Sequence, residues 1–326
     1  MAVTLVGDII KPEVWVPYVI SETPKKSALF KSGIVSQDPR IKVPSGGDTA
    51  NMPFWNDLDG DAQAIQSDTA LNINRIDSGK DVARVFEFGN AWSAEDLAAE
   101  LAGSDPMTAI GDRVIVYWDR EYQKILIFEL NGVFADNVTN DDSDLVYDVA
   151  KDDIDANGAV DIDSAVILDG KQLLGDAKGK LTAIAMHSAV HTNLQKQDLI
   201  DYIPDSKADI GWGTYMGHTV IVDDDMPVAD ATTSGKKYTS YLFGQGAVGY
   251  DEGKPKTPVE SDRNSLKGQD ILIHRRKFIL HPRGFKWTEG AVSGEMPTYT
   301  EIQNATNWDR IYDKKKTRVV KLVTNG

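Results

Sequence analysis

SDPMTAIGDRVIVYWDREYQKILIFELNGVFAD, residues Ser104 to Asp136, decides how the rest of the chain is read. Apolar side chains recur at Ile110, Val114, Tyr117, Trp118, Ile125 and Phe128, the three-and-four spacing of one helix face. Within that stripe Val114, Trp118, Ile125 and Phe128 are the residues expected to pack against the core. Ser104 or Asp105 offers a cap, and Pro106 comes next, where a missing N–H costs nothing. Asp112, Arg113, Asp119, Arg120, Glu121 and Lys124 supply a side for water, while Gly111 and Gly132 weaken the ends. About thirty residues at ~1.5 Å each span on the order of 45 Å. That length suits a strut better than a segment of a compact core.

Upstream, Trp92 to Ala102 reads as a short helix, with Ser93 as cap and Asp96 completing an acidic capping box. Before it, residues 36 to 89 read as a long two-stranded excursion. One arm is Thr49 to Trp55 and the other Asp81 to Phe88, where alternation has period two. The polar tract between them is long for a hairpin connection. A strand pair with so little core of its own needs another surface to cover it. Residues 1 to 35 carry Pro12, Pro17 and Pro24 and read as an arm lying across something else.

Downstream, the acidic stretch 137 to 163 reads as a linker into a second, mixed αβ domain of about 120 residues. Helices are expected at Ser164 to Leu174 and Ser188 to Ile200. Strands are expected at Leu181 to Met186, Thr219 to Val222 and Thr239 to Phe243, with Gln245 to Tyr250 irregular. From Asp270 two strand pieces flank the basic run His274-Arg275-Arg276-Lys277. A short helix capped by Thr300 lies within Pro297 to Arg310, and the tail ends as a strand.

The totals narrow the function. The chain has 326 residues with 35 Lys and Arg against 50 Asp and Glu, a formal charge of -15. That balance argues against a reader of duplex DNA, which needs a basic footprint. With no Cys there is no disulfide framework and no thiol chemistry, which fits a reducing cytoplasm. The first residues lack the basic and apolar regions of a signal peptide, and no run approaches the ~18 apolar residues of a membrane span.

Candidate chemistry is sparse. Gly244, Gly246 and Gly249 spell G-x-G-x-x-G, but Tyr250 to Pro255 cannot open a helix, so no nucleotide cofactor is expected. His187 and His191 share a helix face without the other parts of a zinc site, and Ser188 beside His187 is no triad. Asp153, Asp155, Asn157 and Asp161 match positions of a calcium loop, but Ser164 stands where a bidentate Glu is needed. A solvated acidic loop is the better reading there, and Asp223, Asp224 and Asp225 read as a turn. No catalytic residue is expected. Taken alone, the residues describe a soluble, oligomeric, non-enzymatic α+β protein.

The order of parts then resembles the major capsid proteins of tailed bacteriophages, whose shell fold is called the Hong Kong ninety-seven type. Ile110 to Ala135, Leu181 to Ile200 and His274 to Trp287 carry the resemblance, which spans nearly the whole chain. It implies an N-terminal arm (1–35), an extended loop (36–89), a peripheral domain with a spine helix (90–145), an axial domain (146–265) and a return to the peripheral domain (266–326). It also implies a homo-oligomer of hexamers and pentamers that self-assembles into an icosahedral shell enclosing phage DNA, without sequence-specific binding and without a membrane. A separate scaffolding protein, a portal and a decoration protein are implied partners, with assembly in the host bacterial cytoplasm. The alternatives are an encapsulin-type cargo shell, which shares the fold, and a hydrolase using His187 and Ser188.

Overall fold

The computed structural model describes residues 32–58, 60–65, 70–96, 106–197 and 213–326. Most of the expected arm and the expected cap at Ser104 or Asp105 lie outside them. In chain order come β1 (Val35–Gln37), β2 (Thr49–Trp55), β3 (Ser78–Arg84), β4 (Phe86–Glu95) and the long helix α1 (Pro106–Asn140). Next are β5 (Val146–Asp148), α2 (Ile154–Asn157), α3 (Ser164–Gln172), β6 (Leu181–Met186), α4 (Ser188–Lys196), β7 (Thr214–Tyr215), β8 (His218–Val222) and β9 (Val228–Asp230). The chain ends with β10 (Lys236–Gly244), β11 (Val248–Gly253), β12 (Val259–Asn264), β13 (Gln269–Pro282), β14 (Phe285–Trp287), α5 (Tyr299–Ile302), β15 (Trp308–Arg310) and β16 (Val319–Thr324).

Two sheets flank α1. One has the order β1-β11-β13-β12, with β4 also on β13; the other runs β5-β16-β10-β6-β8-β7, with β9 on β10. The pairs β2–β3 and β14–β15 stand apart as ribbons. This is the expected α+β class, but several local expectations need correction. Trp92 to Glu95 continue β4, because their backbones pair with Gln269 to Leu272, so Ser93 caps nothing. Only Asp96 of that proposed helix is helical among the described residues. The arm expected from Asp81 to Phe88 is divided: β3 pairs with β2, and β4 pairs with β13. Val248 to Tyr250, expected to be irregular, form part of β11. The two strand pieces around His274-Arg275-Arg276-Lys277 are one strand of 14 residues. It stays continuous because period-two alternation turns His274 and Arg276 inward and leaves Arg275 and Lys277 half-buried. Thr298, not Thr300, caps α5, in a reciprocal capping box with Glu301. The tail strand β16 lies in the second sheet, between β10 and β5.

The long helix is also no free-standing strut. Its first half keeps Asp112, Arg113 and Arg120 exposed, but Ile125, Leu126, Ile127, Leu130, Val133 and Phe134 are all buried. Tyr122 meets Phe278 of β13 edge-on at 4.5 Å, and Phe134 stacks on Tyr241 of β10 at 5.4 Å. One continuous core therefore joins both sheets through α1. Gly132 is required where the helix comes closest to its neighbours: a Cβ there would collide with both the Ile302 carbonyl oxygen and Trp308 Nε1.

Glu129 sits inside this core, fully buried, and neither carboxylate oxygen has a hydrogen-bond partner among the described residues. Burial raises its pKa well above the ordinary 4.5. The native state thus holds a proton that the unfolded chain releases. Stability from this group is whole below 4.5 and is lost as pH climbs toward the raised native value. Each pH unit between the two values costs about 1.4 kcal/mol. Glu129→Leu is expected to raise the melting temperature more at pH 8 than at pH 5, measured by calorimetry at both. A gain independent of pH would show that the carboxyl is ionised and paired in the native protein.

Candidate functional site

Along α1 the helix turns one stripe of side chains toward β13 and α5. Val114, Trp118 and Ile125 are buried, and Phe128 is partly buried against Tyr299 at 5.4 Å. Trp118 lies 5.4 Å from the Tyr117 ring and 5.7 Å from His274 of β13, with the Arg276 guanidinium 6.0 Å from its ring. Burial, followed by the charge of Arg276, pulls the His274 imidazole down to about 3, so it packs as a neutral ring. Arg276 is itself buried and paired with Glu252, whose other oxygen accepts from the Tyr250 hydroxyl at 2.8 Å. Glu121, read as facing water, is half-buried and accepts a 2.6 Å hydrogen bond from the Tyr299 hydroxyl.

None of the enzyme-like readings gains a centre. His187 caps α4 by accepting from the Ala189 amide at 3.1 Å through Nδ1. Its Nε2 faces Asp224 at 3.9 Å, and Ser188 hydrogen-bonds the same carboxylate, holding that acid below its usual range. A base whose Nδ1 accepts from the backbone, next to a serine bonded elsewhere, is not poised for nucleophilic attack. The loop after Gly244 turns into β11 rather than a helix. Asp153, Asp155, Asn157 and Asp161 do not converge. Asp153 caps α2 through the Ala156 amide at 3.2 Å and accepts from Ser234 Oγ at 2.9 Å, and Asn157 donates back to the Asp153 carbonyl at 3.1 Å. Among the described residues no group of three or more acidic or His side chains could hold a metal ion.

Many of the exposed large apolar side chains lie on the β2–β3 hairpin and its connection. Its root is buried: Ala50, Met52, Ala83 and Val85 pack with Ile41 and Ile279. Beyond the root it leaves the body with apolar side chains in water, among them Trp55 at 70% exposure, Ile65 at 85% and Ile73 at 98%. Such a set, strung along a polar excursion, marks a surface made to be covered. Three root residues were missed by sequence reasoning. Asp81 and His281 form a buried pair at 2.9 Å, and Arg84 is 3% exposed with Asp48 at 2.6 Å and Glu289 beside it. The one available signal was a charged residue, Arg84, set within the apolar run Val82, Ala83, Val85 and Phe86.

The architecture is a helix threaded between two sheets, with a hairpin that leaves the body beyond a buried root. The fold resembles the capsid protein of Ralstonia phage GP4, with a TM-score of 0.62 over 92% of each chain at 10% identity. It also resembles the capsid protein of Helicobacter pylori bacteriophage KHP30, with a TM-score of 0.58 over 91% of this chain and 90% of that one at 13% identity. At such identities the likeness speaks for the fold alone. Residues 132–319 match the family model described as "Gp13-like: Major capsid protein 13-like". The chain is also 48% identical to the major capsid protein of Bacillus phage SPP1, over 98% of both. It belongs to the Gp13-like family of major capsid proteins and is a structural subunit of a phage shell.

Proposed function

We propose that this chain self-assembles as hexamers and pentamers into an icosahedral head shell around phage DNA, and that other copies cover its extended hairpin. The exposed apolar side chains from Trp55 to Ile76 on a hairpin with a buried root carry this reading. The peripheral part is α1 with the sheet containing β13, and the axial part is the sheet containing β6 and β10. A separate scaffolding protein, a portal and a decoration protein complete the assembly, which takes place in the host cytoplasm. The role is non-enzymatic. No helix among the described residues is long and apolar enough to cross a membrane.

Electron microscopy of the purified protein tests the reading directly: closed shells are expected, and soluble monomer under every assembly condition would refute it. Amide exchange tests the hairpin. Exchange at Trp55, Asn56 and Ser78, on the exposed arm, is expected to be fast in the free subunit and slow in shells. Equal protection in both states would mean that no neighbour covers it.

Inside the shell, like charges near the DNA keep it mobile, because tight phosphate contacts would impede packing and ejection. Four cations of the basic runs 274–277 and 314–316 are paired in place. Arg275 pairs with Glu260 at 3.0 Å, Arg276 with Glu252, Lys315 with Asp176 at 3.1 Å and Lys316 with Asp57 at 2.9 Å. The free subunit is therefore expected to show no tight, salt-sensitive retention of duplex DNA in a mobility-shift titration. Retention that falls steeply with added salt would contradict this.

A further inference from the structure

The hairpin has to leave the body at a defined angle if neighbouring copies are to meet it in register. That requirement rests on the shell reading above. The chain itself bends at Val85, the single residue between β3 and β4, whose amide donates to the Asp48 carbonyl at 2.8 Å. Val85 is fully buried with Ala83 and Ile279, and a charged tie spans it from the neighbouring residue. Arg84 crosses it. Its guanidinium meets Asp48, the residue immediately before β2, at 2.6 Å, and it also meets the Glu289 carboxylate and the Glu295 carbonyl.

The loop on the far side of those contacts is fixed to the body. Ser293 donates to Glu301 of α5 through its amide at 2.9 Å and its hydroxyl at 2.7 Å, and the Ala291 amide donates to Asn307 Oδ1. Asn307 is fully buried, and its side chain donates to the Glu301 carbonyl at 2.7 Å. From there Ile302 and Trp308 press on α1 at Gly132. Glu289 adds a second sign. It holds φ at +58, a conformation that non-glycine residues adopt at a cost, and its side chain is the one aimed at Arg84.

We propose that Arg84 is the positioning residue of the extended hairpin: it ties Asp48, Glu289 and the Glu295 carbonyl across the bend at Val85, and so sets the angle at which the hairpin meets neighbouring copies. A buried guanidinium with a rigid fork of donors can hold three acceptors in fixed directions, which a flexible ammonium cannot.

The chain has no Cys, so a labelled pair can be introduced cleanly. Ala62→Cys near the exposed hairpin tip and Ala165→Cys, exposed on α3, give one spin-label distance across the bend. In the otherwise wild-type subunit a single narrow distance peak is expected. Arg84→Ala should lose that peak to a broad distribution, and Arg84→Lys should only partly restore it. Val190→Ala, which cuts into the core at α4 away from the hairpin, should lower the melting temperature without broadening the peak. Should Arg84→Ala fail to fold, Glu289→Gly removes the anchor while relieving the positive φ, and should broaden the peak in a stable protein. Shells of mixed diameter are expected from these two hairpin variants. A narrow peak in Arg84→Ala or Glu289→Gly, or equal broadening in Val190→Ala, overturns the proposal. If wild-type subunits form no shell at all, the shell reading falls, and the distance measurement still decides the role of Arg84.

Discussion

Trp118→Ala is expected to yield a poorly soluble subunit that builds no shells. The indole is 1% exposed and wedged between Tyr117, Tyr122 and His274, where α1 crosses β13. Truncating it to a methyl group removes the transfer energy of a large aromatic and leaves a cavity, together about 3–5 kcal/mol. Domains of ordinary stability have only about 5–15 kcal/mol in hand. The loss also falls at a joint, because the same ring supports neutral His274 and lies by the Arg276–Glu252 pair. Trp118 Nε1 has no hydrogen-bond partner among the described residues, so Trp118→Phe strands no acceptor and should retain most of the stability. Asp112→Asn, on the exposed side of the helix, should stay within about 0.5 kcal/mol of wild type. Urea unfolding midpoints of the three variants, followed by microscopy of assembly products, make the comparison. Normal shells from Trp118→Ala would mean that the stripe is not core and that α1 does not organise the fold.

Much of this architecture was legible because it is local. The α1 stripe, the apolar run Leu181–Met186 and the alternation from Val82 to Phe88 each announce an element within a few residues. The T-x-x-E of Thr298 to Glu301 was equally readable, and placing the cap at Thr300 overlooked it. Ser93 to Asp96 misled for the opposite reason. A capping-box pattern is a weak local preference, and ten ladder pairings between β4 and β13 outweigh it. The buried second half of α1 was visible too, since Ile125 to Phe134 hold one charged residue, Glu129, in ten. Length suggested a strut, and composition should have overruled it.

The hairpin root was not legible. Alternation runs unbroken through Val82, Arg84 and Phe86, so periodicity carries no mark of the bend at Val85. What divides β3 from β4 is a change of partner, from β2 to β13, and the partners of Asp81 and Arg84 lie about two hundred residues away at His281 and Glu289. A single sequence offers no covariation to join such positions. The tail strand was hidden likewise: Val319–Thr324 reads as a strand anywhere, and only its pairing with Tyr238 to Phe243 assigns it to the second sheet.

Asn325 should be as sensitive as any aromatic in the core. It is 9% exposed, and its side chain uses both donors and its acceptor on backbone. Oδ1 accepts from the amides of Lys151 at 2.8 Å and Val160 at 3.2 Å. Nδ2 donates to the carbonyls of Lys151 and Lys236, each at 3.0 Å. Its own amide adds a bond to the Val160 carbonyl at 2.8 Å. One amide side chain therefore closes the acidic excursion from Lys151 to Val160, α2 included, onto the second sheet. Asn325→Ala strands four backbone groups at once. Each costs about 1–3 kcal/mol if no water reaches it, and since this edge is only partly buried a total of about 2–4 kcal/mol is expected. Asn325→Asp should fare no better, because the carboxylate keeps the acceptor but turns an oxygen on the two carbonyls that the amide served. Added calcium should rescue neither variant, since Asp153 and Asn157 serve the backbone of α2 rather than a common centre. Amide exchange locates the effect: protection at Lys151 and Val160 should vanish while that of Leu242 in β10 survives. If Lys151 and Val160 stay protected in Asn325→Ala, then the strands rather than this side chain close the excursion, and the variant should unfold at the wild-type midpoint.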